Sequence, residues 1–249
     1  MSDTIAAIAT PIGEGGISII RCSGSGALAV TQKIFHTSTG NAVNKLSSHK
    51  VHYGSIYDPK NRKYIDEVIL TWFEGPKSYT GEDVIEISAH GGGFVSSRIL
   101  GLVLDYGARP AEPGEFTRRA FMNGRIDLSQ AEAVADVISA SSDKALQTAI
   151  MQLKGHLSKQ VNALYDRLLS LMSQVEAAID FPEEGLDFQN REVSITELQH
   201  VYQEINTLVS SYRQGRIFRE GASVAFIGKP NVGKSSLLNA LLQEDRAIV

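Results

Sequence analysis

Residues 228–236, with the sequence GKPNVGKSS, constrain the fold of this chain more than any other stretch. Their glycine, lysine and serine spacing is typical of a turn that joins a strand to a helix and cradles nucleotide phosphates. The apolar run SVAFI at residues 223–227 has the composition of a buried strand, and SSLLNALL at residues 235–242 that of a helix. Because both flanking elements fit, we predict the first strand, loop and helix of a P-loop α/β domain.

The polar positions of this loop each have a chemical role. Gly228 and Gly233 leave room for successive backbone N–H groups to turn toward phosphate oxygens at the start of a helix. The Lys234 ammonium would extend along the phosphates, and the Ser235 hydroxyl would complete the shell of a Mg²⁺ ion. We therefore predict Lys234 and Ser235 as catalytic residues and Ser235 as the Mg²⁺ ligand. The predicted nucleotide-binding set is Asn231, Val232, Gly233, Lys234, Ser235 and Ser236.

The loop pattern alone does not separate ATP from GTP. The loop and the LLNAL that follows it resemble those of the translation-factor-related GTPases that include Era and Der. This resemblance implies GTP or GDP as the ligand. It also implies K⁺ beside the phosphates, because an Asn at the position of Asn231 is typical of members that take a monovalent cation.

The sequence continues for only about 14 residues beyond Ser235, to Val249. A nucleotide-binding α/β domain needs on the order of 150 residues. The motifs for the γ-phosphate side and for guanine do not occur in these last residues. We therefore expect the chain to be the front part of a longer protein.

Length and composition bound the function classes. With 249 residues and 43% hydrophobic content, the chain can bury more than one core. Its net charge of −4 argues against a globally basic nucleic-acid binder but allows a local basic patch. The single cysteine, Cys22, excludes an intrachain disulfide and indicates a reducing cytoplasm, with the thiol expected as a small buried group. No apolar run approaches the length of a membrane span, so we expect no membrane partner.

The first 118 residues mix strands with helices and predict an α+β domain. Apolar or alternating runs bounded by Gly, Pro or Asp predict strands over 4–10, 16–21, 50–57, 67–73 and 83–89. Helical spacing predicts helices over 27–35 and 93–106. The prolines and glycine of residues 109–117 interrupt the helical pattern, and we take them as the end of this domain.

The middle of the chain is almost purely helical. Apolar positions at steps of three and four residues from Leu146 to Ala178 predict one long helix with a narrow apolar seam. A second helix is predicted over 193–212, antiparallel to the first. The predicted domains are therefore 1–118, a helical bundle domain at 119–218, and the start of the P-loop domain at 219–249.

Two further features allow alternatives. The glycine-rich turns at 11–16 and 90–93 are either tight connections, which we favour, or places where a ligand approaches the backbone. From the residues alone, Arg118, Arg119 and Arg125 belong to a solvated basic face. A role for Arg125 as an anion ligand is the less favoured alternative.

Seven blocks of this sequence, in order, resemble the MnmE (TrmE) family of tRNA modification GTPases. They cover nearly the whole chain: IAAIATP at 5–11, YTGEDVIE at 79–86, AHGG at 89–92, RPAEPGEFT at 109–117, AFMNGRIDL at 120–128, EAAIDFP at 176–182, and the phosphate loop.

This resemblance implies a folate-binding front domain, similar to the aminomethyltransferase fold, that also mediates homodimerisation. In the family, a 5-formyltetrahydrofolate-type ligand meets an Arg, a Glu and a basic residue that fall on Arg21, Glu86 and Arg125. The resemblance therefore favours the ligand role for Arg125. An acid such as Glu86 can bind the amino edge of a pterin, and guanidinium groups suit the carboxylates of the glutamate tail.

The resemblance also implies a reaction. In the family, GTP hydrolysis, with K⁺ in the role of an arginine finger, is coupled to adding an aminomethyl or carboxymethylaminomethyl group at C5 of wobble uridine 34 of tRNA. A flavoprotein partner, MnmG, joins in a heterotetramer, and the folate is the one-carbon donor. We expect no complete turnover from this chain alone.

Two alternatives stay open. One is an unrelated Era-type P-loop GTPase with a different front domain, which would not need Arg21, Glu86 and Arg125 to converge. The other is a folate-binding dimeric scaffold that docks a partner protein and tRNA without turnover.

Overall fold

The computed structural model describes residues 3–11, 13–37, 46–180, 191–220, 224–230 and 232–243, with only the backbone described at 191 and 212–220. The chain divides into two compact units. The first comprises Met1–Ser139 and Gln147–Val161, and the second comprises Ala140–Leu146 and Asn162–Val249. The domain boundaries predicted after residues 118 and 218 stay predictions.

A mixed sheet forms the centre of the first unit. Its strands are β1 (Ile5–Ile8), β2 (Ile17–Ser23), β3 (Phe35–Thr37), β4 (Val51–Asp58), β5 (Lys63–Phe73), β6 (Val84–His90) and β7 (Arg109–Pro110). Within the described residues the strand order is β3-β4-β5-β6-β2-β1-β7, with antiparallel pairing everywhere except between β1 and β7. The five predicted strands are confirmed, and β3 and β7 are additional.

Both additional strands are too short to carry an alternating pattern. Strand β3 follows directly on the helix that we predicted to extend to residue 35. Strand β7 lies inside the proline-rich stretch, where the backbone N–H groups of Arg109 and Ala111 donate to the carbonyls of Thr4 and Ala6, each at 2.9 Å. A proline at the sheet edge costs no ladder hydrogen bond, which is why this stretch can pair with β1.

Helices α1 (Ala27–Ile34) and α2 (Gly93–Asp105) confirm the two predicted helices and cover one face of the sheet. Alternate strand residues such as Ile20, Ile85 and Ile87 are fully buried beneath them. Cys22 belongs to this core, and burial raises the pKa of its thiol to about 12. The prediction of a small buried side chain at Cys22 is therefore confirmed.

The opposite face of the sheet is not covered by α1 or α2. Its alternate positions carry exposed apolar side chains at Ile17, Val51, Tyr53 and Ile69, which are 46–68% exposed. We call these four residues the open-face patch. Arg21 and Glu86 lie on the same face, because they alternate with the buried residues of β2 and β6.

Four helices follow: α3 (Glu115–Met122), α4 (Leu128–Ser139), α5 (Asp143–Leu153) and α6 (His156–Asp180). The prediction of one unbroken helix from Leu146 to Ala178 is wrong, because α5 ends before Gly155. Gly155 has a φ of +76°, a left-handed conformation that commonly ends a helix. The side-chain amide of Gln130 donates to the carbonyl of Leu153 at 2.8 Å and so satisfies the end of α5. Apolar spacing carries no signal for such a break.

The second unit contains α7 (Arg191–Glu220) and α8 (Lys234–Leu242). Arg167 on α6 joins α7 through ion pairs to Glu197 at 2.6 Å and Glu204 at 2.7 Å. The strand predicted over 223–227 is wrong for residues 224–227, which have no regular secondary structure, and Ser223 lies outside the described residues. A strand needs a partner for its backbone hydrogen bonds, and no described residue pairs with this segment.

No helix in the described part of the chain combines the length and the apolar character that crossing a membrane requires.

Candidate functional site

A cross-strand ion pair lies at the centre of the front unit's open face. Strands β2 and β6 are antiparallel neighbours, and their register sets Arg21 directly opposite Glu86. The Nε and Nη2 atoms of Arg21 lie 2.9 Å and 2.7 Å from Oε1 of Glu86. Opposite charges at directly facing positions stabilise an antiparallel pair. The strand register therefore determines the position of the Glu86 carboxylate, through its ion pair with Arg21.

Two aromatic rings hold the other side of Arg21. Its guanidinium carbon lies 5.2 Å from the centre of the Tyr79 ring and 5.7 Å from the centre of the Phe116 ring. Guanidinium groups at such distances from aromatic rings are attracted to them. Arg21 is thus held by a carboxylate from β6 and by rings from the segment before β6 and from α3.

A cavity of about 510 Å³ opens beside this ion pair. Glu86 and Arg125 both line it, and Phe73, Tyr79 and Val84 supply its apolar wall. The Nε atom of Arg125 donates to the carbonyl oxygen of Ser78 at 3.3 Å, which fixes the guanidinium at the cavity. Glu86 and Arg125 therefore lie at one cavity, and Arg21 is bonded to Glu86, so the three residues that the family resemblance implied for one ligand lie together.

His49 also lines this cavity, and sequence reasoning did not single it out. Its backbone N–H donates to the carbonyl of Trp72 at 2.7 Å, and its ring Nε2 donates to the carbonyl of Lys77 at 2.8 Å. The ring also packs edge-on against Phe73, with centroids 5.5 Å apart. These contacts are made between segments distant in sequence, so no local pattern could have indicated them.

A second cluster that sequence reasoning missed surrounds Glu115, whose side chain is 1% exposed. Arg109 donates from Nη1 and Nη2 to its two oxygens at 2.9 Å and 2.6 Å, and the backbone N–H of Glu112 adds a bond of 2.8 Å. Arg109 chiefly holds the pKa of Glu115 at about 2. Arg119 extends the cluster, because its Nη2 lies 3.1 Å from Oε1 of Glu115 and its Nη1 lies 3.1 Å from Oε2 of Glu82.

This cluster corrects one prediction. Arg119 was expected on a solvated basic face, but its side chain is only 11% exposed and pairs with three carboxylates. The solvated face holds for Arg118, which is exposed and pairs with the exposed Glu112. Arg118 and Arg119 are adjacent residues of the same type, so the sequence pattern does not distinguish them and only the surrounding fold does.

The phosphate loop lies in the second unit. Gly233 has a left-handed φ of +88° immediately before α8, and its carbonyl accepts the Leu237 N–H at 2.9 Å. The Lys234 ammonium donates to the carbonyl oxygens of Gly228 at 3.0 Å and Lys229 at 2.6 Å. The predicted loop-to-helix junction is therefore present at the expected residue.

The other residues predicted to bind the nucleotide lie either in the first turn of α8 or in the sequence just before it. Ser235 and Ser236 are the second and third residues of α8, where backbone N–H groups lack partners within the helix. Val232 is exposed just before the junction. Asn231, predicted as the K⁺ ligand, lies outside the described residues.

Comparisons with known proteins agree with this arrangement. A family model described as "GTP-binding protein TrmE N-terminus" matches residues 4–125, and a second, "MnmE helical domain", matches residues 128–246. The chain is also similar to curated proteins named "tRNA modification GTPase MnmE". The relative from Carboxydothermus hydrogenoformans is 49% identical over 249 residues, 100% of this chain and 54% of the relative. The relative from Levilactobacillus brevis is 50% identical over 248 residues, 99% of this chain and 53% of the relative.

The chain therefore spans about half the length of the curated relatives it matches. The two family models follow one another along it, in an order that agrees with a strand-rich front followed by helices. The identity to the relatives is spread over the whole chain and is not confined to the phosphate loop. On these grounds, the chain belongs to the MnmE (TrmE) family.

Proposed function

We propose that this chain forms the folate-binding front domain, the helical domain and the phosphate loop of a GTP-hydrolysing tRNA modification protein. The observation that carries the proposal is the cavity that Glu86 and Arg125 line together, with Arg21 bonded to Glu86. These residues come from separate segments of the chain. Chance would scatter them over the surface, so their convergence supports a common ligand.

The dimensions and chemistry of the cavity suit a pterin. Its volume of about 510 Å³ falls within the range of roughly 300–1,000 Å³ that is typical of small-molecule sites. Arg21 directs its bonds to Oε1 of Glu86, and no described residue donates to Oε2. That oxygen is available to the amino edge of a pterin, whose flat ring suits the apolar wall of Phe73 and Val84.

Arg125 supplies the opposite charge. Because its Nε is used by Ser78 and no described residue accepts from its terminal nitrogens, the guanidinium fork is available to a carboxylate. We assign Glu86 and Arg125 as direct ligands of a 5-formyltetrahydrofolate-type folate, and Arg21 as the residue that orients Glu86. A bound folate of this type would supply the one-carbon unit, while these side chains bind and orient it.

The phosphate loop supports the GTP part of the proposal. Lys234 is the first residue of α8, and its ammonium bonds to the backbone carbonyls of Gly228 and Lys229 in the loop before the helix. The start of a helix is where phosphates bind. Lys234 would contact the phosphates of GTP or GDP, Ser235 would bind Mg²⁺, and Asn231 would bind K⁺. The neighbouring Val232, Gly233 and Ser236 complete the predicted set.

The remaining parts of the proposal concern partners and location. The open-face patch supports a homodimer, because exposed apolar residues grouped on one face of a sheet are typical of interaction surfaces. From the family we propose MnmG as the flavoprotein partner and tRNA as substrate, with an aminomethyl or carboxymethylaminomethyl group added at C5 of wobble uridine 34. The lone Cys22, which excludes an intrachain disulfide, supports a cytoplasmic location.

Replacing Glu86 with alanine tests the folate site. We expect the dissociation constant for 5-formyltetrahydrofolate, measured by calorimetry, to rise about 10- to 100-fold, because a hydrogen bond to a charged group contributes about 1.5–3 kcal/mol.

Glu67→Ala is the matched control, because Glu67 lies on the neighbouring strand β5, is exposed, and accepts a hydrogen bond from Tyr53 instead of lining the cavity. We expect its affinity to match that of the unmodified protein. Equal affinities for all three proteins would remove Glu86 from the site.

A further inference from the structure

The segment of residues 75–83 between β5 and β6, which we call the pocket loop, forms one side of the cavity. Pro76, Lys77, Ser78 and Tyr79 of this loop all line it. Tyr79 has two roles, because its ring also lies over the guanidinium of Arg21. The conformation of the pocket loop therefore determines both the cavity wall and the setting of the Arg21–Glu86 pair.

Contacts from α3 and its end hold the pocket loop in place. The Tyr79 hydroxyl is hydrogen-bonded to the Thr117 hydroxyl at 2.8 Å. The side-chain amide of Asn123, the residue that follows α3, donates to the carbonyl of Thr80 at 2.8 Å. Both bonds reach the part of the loop immediately beside the cavity, so α3 sets its position.

A third contact reinforces this arrangement further along the pocket loop. Arg119 of α3 donates to Glu82 at 3.1 Å and 3.3 Å, and Glu82 in turn accepts from Ser23 of β2 at 3.0 Å. The loop is thus tied both to α3 and to the sheet. Because Arg119 also belongs to the Glu115 cluster, its removal would mix two effects, whereas Thr117 and Asn123 make contacts specific to the loop.

Neither Thr117 nor Asn123 lines the cavity, and the side-chain hydrogen bonds of both go to the pocket loop. We propose that Thr117 and Asn123 are positioning residues of the folate-type site, which hold Tyr79 and Thr80 in the conformation that binds ligand. This inference rests on the proposed function of the cavity and extends it to α3. According to this inference, the affinity of the cavity for its ligand depends on the position of α3, although no residue of α3 lines the cavity.

The test uses Thr117→Val, which removes the hydroxyl and keeps the branched shape, and Asn123→Ala. We expect the dissociation constant for 5-formyltetrahydrofolate, measured by calorimetry well below the melting temperature, to rise about 3- to 10-fold in each, as for the loss of one hydrogen bond. Thr117→Ser restores the hydroxyl and is expected to restore the affinity. In a Tyr79→Phe background, Thr117→Val is expected to have no further effect, because the shared bond is already absent.

Thr196→Val is the matched control, because the Thr196 hydroxyl bonds to Glu192 on α7 and not to the pocket loop. Unaltered affinity in both Thr117→Val and Asn123→Ala, with the unmodified protein binding the ligand, overturns the positioning role alone. A loss of affinity in Thr117→Val that Thr117→Ser does not restore also overturns it. Absence of binding by the unmodified protein overturns the proposed function and this inference together.

Discussion

Replacing Glu115 with glutamine is expected to lower the free energy of unfolding by about 3–5 kcal/mol, the cost of removing one partner from a buried ion pair. Glu115 is almost fully buried and receives bonds from Arg109 and Arg119. Without its charge these guanidinium groups lose their shared carboxylate. Asp3 and Glu82 stay beside them as acidic partners, so we expect the lower end of this range. Urea unfolding followed by circular dichroism measures the change.

Glu112→Gln is the matched control in the same segment. Its carboxylate pairs with Arg118, but both side chains are about 60% exposed, at 62% and 58%. Exposed pairs contribute about 0–1 kcal/mol, so this variant is expected to stay close to the unmodified protein. If Glu115→Gln were as stable as Glu112→Gln at neutral pH, the cluster would have no structural role of this size.

The effect of Glu115→Gln on stability is expected to depend on pH. The hydrogen bonds from Arg109 lower the pKa of Glu115 from 4.5 to about 2. Because the folded-state pKa is the lower one, the ionised carboxylate stabilises the fold above about pH 4.5, and this contribution is lost as the pH falls toward 2. The stability gap between the unmodified protein and Glu115→Gln is therefore expected to be largest near pH 7 and to shrink below about pH 5. A gap of constant size down to about pH 3 would contradict the assignment.

Local patterns in the sequence were sufficient for most of the fold. Alternation or helical spacing predicted five of the strands and the helices α1 and α2 of the first unit, because each of these elements buries one side on a common core. The helix break at Gly155 was missed, because the apolar spacing continues through it while only the backbone conformation changes. The strand predicted before the phosphate loop was also wrong. An apolar run is a property of the segment, whereas a strand is a property of the segment and its neighbour.

The residues of the candidate site likewise include some that were predicted from the sequence and others that were not. Arg21 and Glu86 are 65 residues apart, and only the register of β2 against β6 brings them together. Residue types alone left Arg125 on a solvated basic face, and it was family resemblance that singled it out. His49 and Glu115 were not found at all. The contact of the His49 ring with Lys77 joins segments distant in sequence. Glu115 is instead held across an irregular turn by nearby residues, Arg109, Glu112 and Arg119. Neither kind of contact follows a helical or strand periodicity.

Replacing Lys234 with alanine is expected to lower the affinity for GTP and GDP at least about 100-fold in the full-length protein, because loss of a charge paired with a buried phosphate costs about 2–5 kcal/mol. The ammonium now bonds to the carbonyls of Gly228 and Lys229, which fixes its side chain across the loop. A phosphate at the start of α8 would replace these carbonyls as its partner. Fluorescence titration with a labelled guanine nucleotide measures the change.

Lys229→Ala provides the comparison that separates a phosphate ligand from a general loss of positive charge. Lys229 belongs to the same loop and contributes a carbonyl oxygen to Lys234, a contact that alanine retains. If the loop binds phosphate through the position of Lys234, only Lys234→Ala loses affinity, while Lys229→Ala changes it by less than about threefold, as for a screened surface charge. Equal affinities for the two variants would mean that the loop attracts nucleotide by net charge alone, and the assignment of Lys234 would fail.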